Sequence, residues 1–278
     1  MQTHTIHYEV LNNHNPDTET GGGWEVEVHA AAEELQAFAR CGYLVREGLF
    51  EGEALRRLRD ALDRLEERER EKRDRATAGK QSWGFIPRHL MDKDEVFLEL
   101  LKFRPLLSIA QAMMGPLVRL RGLSARISYP GREHPHQTPW HQHLRVISDP
   151  RPPWFSQPHC IDCLVYLDDL NDDTGAVAVV PESHTWLDRP SPRSYEPVTG
   201  EVELRVRAGG AVLIHGNLWH RALPTLKAKR RMLILSYTPS WMRASPHSGP
   251  QPEDGLTRRF LEDADFEARM LLGVGGYT

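Results

Sequence analysis

Residues 160–180, CIDCLVYLDDLNDDTGAVAVV, contain two short apolar runs separated by a cluster of Asp, Asn, Thr and Gly. Short runs rich in Val, Ile, Leu and Tyr predict strands, and the polar cluster between them predicts a turn. The pattern extends in both directions, from residue 117 to residue 238, with about eight such runs separated by turn residues. This spacing favours a sandwich or barrel of short strands over a fold of alternating strands and helices.

Helical patterns precede these strands. The run EALRRLRDALDRL (53–65) repeats leucine at spacings of three and four, which predicts a helix with one apolar face. We therefore predict an α+β fold with a jelly-roll-like core and N-terminal helices packed on one face. Because the first residues are polar and end in Gly-Gly-Gly, we expect a flexible arm over 1–23, followed by a single domain over 24–278.

The composition excludes several classes of protein. The chain has 278 residues, with 35 Lys and Arg against 39 Asp and Glu, so its net charge of −4 does not favour a nucleic-acid partner. No apolar stretch reaches the roughly 18 residues of a membrane-spanning helix, and the N-terminus has no signal-peptide pattern. The 3 cysteines are too few for a disulfide framework. We expect a cytoplasmic protein, a monomer or weak homo-oligomer without membrane or nucleic-acid partners.

A pair of histidines suggests a metal site. The segment TPWHQHLRV (138–146) lies within a predicted strand over 136–143, and the alternation of a strand places His141 and His143 on the same face. Neutral imidazoles on one face begin a site for Fe, Zn, Cu or Ni. An H-x-H pair alone is a weak signal, since surface or hydrogen-bonded histidines produce it too.

Four segments together resemble the phytanoyl-CoA dioxygenase family of Fe(II)/2-oxoglutarate oxygenases. In chain order they are ELQAFARCGYLVREGLFEGEALRRLRDALDRL (34–65), YPG (129–131) with TPWHQH (138–143), YLDDLNDDTGAVAVVPESH (166–184), and AGGAVLIHGNLWH (208–220) followed by RMLILSY (231–237). The resemblance implies a double-stranded β-helix. It also implies Fe(II) as the metal, 2-oxoglutarate as co-substrate, and O₂ with a small-molecule substrate as reactants.

The resemblance also assigns roles to single residues. His141 corresponds to the first iron ligand and His220 to the distal one, with His215 as a less well placed competitor. A basic residue shortly after the distal histidine binds the far carboxylate of 2-oxoglutarate, and both Arg230 and Arg231 are candidates. Adjacent strand residues point to opposite faces, so only one of the two arginines can point into the barrel.

The chain departs from the family at His143, where the family has Asp two residues after its first histidine. Three interpretations remain open. His143 completes a three-histidine site; or it turns aside and leaves a position for water or chloride, as in related halogenases; or the centre is redox-inactive and the barrel only binds a ligand. Three neutral ligands would leave the iron site one charge unit more positive, which favours binding of the acidic co-substrate and is expected to slow oxygen activation.

Arg126 is a further candidate, for substrate binding. In the run LSARISY (123–129), polar and apolar residues alternate. If the polar set faces inward, Arg126 is a buried cation that needs an anion, supplied by substrate or co-substrate. The alternative is an outward polar face on a half-solvated sheet.

These observations favour an oxygenase that oxidises, foremost by hydroxylation, a C–H bond of a small molecule. Within enzymes, the alternatives are a halogenase and a three-histidine dioxygenase that does not use 2-oxoglutarate. Outside enzymes, the alternative is a ligand-binding barrel without turnover.

Overall fold

Antiparallel strands form the centre of the structure, and helices cover one side of it. The computed structural model describes residues 2–10, 22–78, 82–143, 150–242 and 255–274. The strands are β1 (His4–Val10), β2 (Gly22–Val28), β3 (Tyr43–Arg46), β4 (Val118–Ser128), β5 (Ile161–Tyr166), β6 (Val177–Val179), β7 (Val202–Leu204), β8 (Ala211–His215), β9 (His220–Ala222) and β10 (Arg230–Pro239). The α-helices are α1 (Ala32–Cys41), α2 (Gly52–Arg68), α3 (Arg70–Thr77), α4 (Glu95–Leu98), α5 (Arg104–Met114), α6 (Leu256–Phe260) and α7 (Phe266–Leu271).

Among the described residues, the strands form three sheets. We call the sheet of order β3-β8-β5-β10-β4 the main sheet, the sheet of order β7-β6-β9 the minor sheet, and the β1-β2 pair the N-terminal hairpin. Every strand pair in them is antiparallel. The combination of helices with antiparallel sheets confirms the predicted α+β class.

One face of the main sheet packs against the helices. On β5, Ile161, Cys163 and Val165 belong to the same buried cluster as Leu58 and Leu62 of α2. The leucine spacing of α2 therefore produces a buried apolar face, as the sequence predicted. Alternation along β5 sends the remaining side chains to the opposite face of the sheet.

That opposite face packs against the minor sheet. Leu164 and Tyr166 of β5 form a second buried cluster with Val177 and Val179 of β6 and Leu204 of β7. Because the two sheets are held together by this cluster, polar side chains on the same faces point into the space between the sheets.

The N-terminal segment differs from the predicted flexible arm over 1–23. Residues 4–10 form β1, which pairs along its length with β2. Ile6 and Tyr8 pack against the helical side of the core, and the Tyr8 hydroxyl donates to the Gln111 carbonyl oxygen at 3.1 Å. Alternating apolar residues and a partner strand outweigh the polar composition on which the prediction rested. Residues 11–21 lie outside the described part of the chain.

The predicted strand over 136–143 is also different in the structure. Only His141 makes a β-bridge there, and its partner is His220. The prolines at 135 and 139 lack an N–H donor, which interrupts a regular ladder.

Among the described residues, none of the helices combines the length and apolar character needed to cross a bilayer.

Candidate metal centre

Three histidines meet between the two sheets. His141, His143 and His220 each offer a ring nitrogen, and these nitrogens all lie within 4.8 Å of one another. The ring centroid of His220 is 4.2 Å from that of His141 and 4.7 Å from that of His143. The structure thus brings together the three histidines that the sequence singled out.

Backbone pairing explains this proximity. The His141 N–H donates to the His220 carbonyl oxygen at 3.0 Å, and the His220 N–H donates back at 3.1 Å. Directly opposed residues of an antiparallel pair point to the same face. The His143 N–H donates to the Gly216 carbonyl oxygen at 2.6 Å. This hydrogen bond holds His143, two residues after His141, beside the segment that connects β8 to β9.

Hydrogen bonds fix which nitrogen of two rings remains available. His141 Nδ1 donates to the Pro139 carbonyl oxygen at 2.9 Å, and His220 Nδ1 donates to the Leu218 carbonyl oxygen at 2.8 Å. Each neutral ring therefore keeps an unprotonated Nε2. Burial and then the charge of His143 lower the pKa of His141 to about 4, and burial lowers the pKa of His220 well below its ordinary value. Both rings are neutral at pH 7, the form that binds a metal.

The third histidine contacts a buried carboxylate. His143 Nδ1 makes a short hydrogen bond to Asp162 Oδ2, and this is an ion pair when the ring is protonated. Burial alone would raise the pKa of Asp162, but the charge of His143 and hydrogen bonds from His143, Ser236 and Cys160 lower it below the usual value. Asp162 is therefore an anion beside the histidine cluster.

A cavity of about 320 Å³ connects this cluster to two arginines. Arg126 of β4 and Arg230 of β10 lie on neighbouring strands, opposite Met232 and Ser128 respectively. Both point into the cavity and are 7% and 2% exposed. Arg126 therefore lies on an inward, buried face of β4, and not on the outward, half-solvated face that was the alternative.

The two guanidinium groups are only partly hydrogen-bonded within the protein. Arg126 Nε donates to the Trp83 carbonyl oxygen at 2.6 Å, while Arg230 donates to the Gly175 carbonyl oxygen and, at 3.4 Å, to Ser128 Oγ. Arg126 Nη2 and Arg230 Nε are buried without a hydrogen-bond partner among the described residues. Burial and then the charge of Arg230 lower the pKa of Arg126 to about 9. The cavity therefore has a strong preference for an anion.

Gly175 allows the contact that holds Arg230. Its φ of +84° lies in the left-handed region, and a Cβ there would come within 2.4 Å of the Leu223 carbonyl oxygen. Only glycine fits this turn without strain, so the turn residue in the stretch 160–180 also positions a cavity side chain.

Arg231 lies outside the cavity. Its Nη2 donates to Asp168 Oδ1 at 2.6 Å and its Nη1 to Asp63 Oδ2 at 2.7 Å. The hydrogen bond that Arg231 donates to Asp168, followed by the negative charges of Asp168 and Asp63, raises the pKa of Arg231 above its ordinary value. Its charge is already neutralised by these carboxylates, so it is not available to a ligand in the cavity.

His215, the competing candidate for the distal ligand, points elsewhere. Its Nδ1 accepts from the Asn217 N–H at 3.0 Å and its Nε2 donates to the Ser156 carbonyl oxygen at 3.2 Å. Its ring lies 4.6 Å from that of His184, between centroids. Both ring nitrogens are thus occupied by hydrogen bonds, and the ring lies beside His184 and apart from the three histidines of the candidate metal centre.

Acid is expected to destabilise the protein through His215. Burial, followed by the charges of His184 and His159, lowers the pKa of His215 to about 3. The unfolded chain binds a proton at this residue below about pH 6.5, whereas the folded chain does not, so stability falls as pH decreases from 6.5 towards 3. In urea titrations of metal-free protein at pH 7 and pH 5, His215→Gln should reduce the acid-induced loss by about 2 kcal/mol. An equal loss in wild type and variant would contradict this explanation.

Asp162 is the site residue that the sequence analysis missed. It stands in β5, IDCLVY, whose other residues are mostly apolar and are all buried. A lone carboxylate in such a strand is costly unless it is paired, and this was the available signal.

Comparisons with known proteins identify a similar sequence and solved structures of the same fold. The chain is 27% identical over 219 residues to an uncharacterised protein of Mycobacterium tuberculosis, Rv1501, covering 76% of each chain. HygX from Streptomyces hygroscopicus, solved with nickel and 2-oxoglutarate bound, is 20% identical, with a TM-score of 0.62 over 77% of this chain and 88% of its own. SnoK, a non-haem α-ketoglutarate-dependent carbocyclase of nogalamycin biosynthesis, is 17% identical, with a TM-score of 0.59 over 81% of this chain and 94% of its own. These structures share the fold.

A family match covers most of the chain. The sequence profile of phytanoyl-CoA dioxygenase (PhyH) matches residues 38–233, which include the three histidines and both candidate arginines. The chain therefore belongs to the phytanoyl-CoA dioxygenase family, whose members are oxygenases that use Fe(II) and 2-oxoglutarate.

Proposed function

We propose that the protein is an Fe(II)- and 2-oxoglutarate-dependent oxygenase that hydroxylates a C–H bond of a small molecule. The observation that carries the proposal is one cavity between the two sheets that is lined both by the three histidines and by Arg126 and Arg230 of the main sheet. In this proposal the core is a double-stranded β-helix formed by the main and minor sheets, within a single oxygenase domain over 24–278 to which β1 of the N-terminal hairpin is added.

The cavity residues fit both groups. Nitrogen ligands suit Fe(II), and the three imidazoles leave other positions of the ion open to a chelating 2-oxo acid. The unpartnered Nε of Arg230 supports a role in binding the far carboxylate, which a guanidinium can bind through two N–H groups. Because one carboxylate of 2-oxoglutarate would lie at the metal and the other at Arg230, we assign Arg126 to an anionic group of the substrate.

The chain's own residues perform the binding and orienting. His141, His143 and His220 would hold the metal, with the rings of His141 and His220 fixed by the backbone carbonyls that accept from Nδ1. Arg230 would fix the direction of the co-substrate. The apolar residues Leu164, Val177 and Met232 line the same cavity and limit the access of water. Bound iron supplies the oxidising chemistry, in which O₂ is consumed and 2-oxoglutarate becomes succinate and CO₂.

His143 bears on the choice among reactions. A halogenase would need this residue to leave an open position for chloride, but its backbone N–H is bonded to Gly216 and its ring to Asp162. These two contacts favour a ligand role for His143 and hence an oxygenase. The three free cysteines, Cys41, Cys160 and Cys163, support a cytoplasmic location.

Uncoupled turnover tests the proposal without knowledge of the substrate. We expect purified protein with Fe(II) to form succinate from 2-oxoglutarate slowly, with matching O₂ uptake and no dependence on chloride. Oxygen uptake that proceeds equally without 2-oxoglutarate would favour the three-histidine dioxygenase. Tight metal and acid binding with no turnover in the presence of candidate substrates would favour the ligand-binding barrel.

A further inference from the structure

Asp162 is a charged side chain buried in an apolar sheet. Its side chain is 3% exposed, and it points from β5 into the cavity between the sheets. Removing a carboxylate from water is unfavourable unless hydrogen bonds and an opposite charge compensate it. Packing alone therefore does not explain why an aspartate stands at this position.

The contacts of Asp162 hold it against His143. Oδ1 accepts a short hydrogen bond from Ser236 Oγ, which lies directly opposite on β10. Oδ2 accepts from Cys160 Sγ at 3.3 Å and from His143 Nδ1. Among the described residues, His143 is the one basic group within ion-pair distance of Asp162. The carboxylate is thus fixed by two neutral donors and directed at one imidazole.

This arrangement determines how His143 presents itself. When Nδ1–H donates to the carboxylate, Nε2 carries the lone pair, and His143 offers one of the three ring nitrogens that lie within 4.8 Å of one another. Histidines that bind metals commonly donate their second N–H to a carboxylate, which orients the ring and makes it a stronger donor.

We propose that Asp162 is the positioning residue of the metal centre and that, through His143, it supplies the negative charge that the Asp ligand supplies in the family pattern. The inference rests on the proposed function, because it requires His143 to bind the metal. The inference also changes the expectation that three neutral ligands leave the metal site one charge unit more positive than the family's usual site. The carboxylate is retained, but it lies one imidazole ring farther from the metal.

A double-mutant cycle on metal affinity tests the proposal. Asp162→Asn keeps the shape of the side chain and removes its charge. We expect it to weaken the binding of Ni(II), measured alone by calorimetry under air, by about tenfold to a hundredfold. In the background of His143→Asp, where a carboxylate can bind the metal directly, the same change should leave Ni(II) affinity unchanged or slightly tighter, because the group through which Asp162 acts is gone.

Controls separate this role from a structural one. Ser236→Ala removes the hydrogen bond to Oδ1 and leaves the charge, so Ni(II) affinity should change by less than about threefold. Thermal unfolding of the metal-free variants measures structural damage separately. If Asp162→Asn does not fold, Asp162→Ser is compared in the same two backgrounds.

Two outcomes would overturn the inference alone: an equal loss of Ni(II) affinity in both backgrounds, or no loss in either, while wild type still binds Ni(II) and His220→Ala does not. If wild type binds no Ni(II), or binds it equally well after His220→Ala, the proposed metal site itself is wrong and the inference falls with it.

Discussion

His220→Ala is expected to abolish iron binding and, with it, all turnover of 2-oxoglutarate. His220 is 5% exposed, and its Nδ1 is used by the Leu218 carbonyl oxygen, so Nε2 is directed at the cluster. Removal of an outer partner of a metal ligand costs about tenfold to a hundredfold in affinity, and loss of the ligand itself should cost more than that. Bound iron in the purified variant and succinate formation are the measurements.

His215→Gln is the matched control for this experiment. It changes a buried histidine five positions upstream that contacts Asn217 and Ser156 instead of the cluster. We expect the control to bind iron as wild type does. Loss of iron in the control and retention in His220→Ala would contradict the assignment of the distal ligand.

Arg230→Gln is expected to raise the KM for 2-oxoglutarate by about a hundredfold or more. The residue is a buried cation whose hydrogen-bond partners among the described residues are neutral, and the variant would leave the co-substrate carboxylate buried without the guanidinium that binds it. Breaking such a pair costs about 3–5 kcal/mol, which exceeds two factors of ten in affinity. Uncoupled succinate formation at varied 2-oxoglutarate concentration measures the change.

Arg231→Gln, one residue away, should behave in the opposite way. It removes the hydrogen bonds to Asp168 and Asp63, so the melting temperature should fall while the KM for 2-oxoglutarate stays the same. A large rise in KM for Arg231→Gln with none for Arg230→Gln would reverse the assignment.

The choice between these arginines could not be made from the sequence, for a physical reason. The strand β10 is apolar on both faces: Leu233 and Leu235 pack under the helices, while Met232 packs between the sheets. Alternation therefore carries no information about which face is the cavity. The face of β10 that lines the cavity becomes evident only from the pairing of Arg230 with Ser128 of β4.

The proximity of the three histidines was easier to predict than the choice of arginine. His141 and His143 are two residues apart, and the distal histidine follows an apolar strand that the family resemblance places beside them. Asp162 was missed because its proposed role depends on contacts to Ser236 and His143, both distant in sequence. The N-terminal hairpin was missed because composition was given more weight than the alternation around Ile6 and Tyr8.

The most direct test is a crystal structure of the protein prepared without oxygen, with Fe(II) and 2-oxoglutarate. It should contain one ion bound by Nε2 of His141, His143 and His220 and chelated by the 2-oxo acid, with the far carboxylate on Arg230. An ion that does not join His141 to His220, or an acid that lies away from Arg230, would contradict the proposed site.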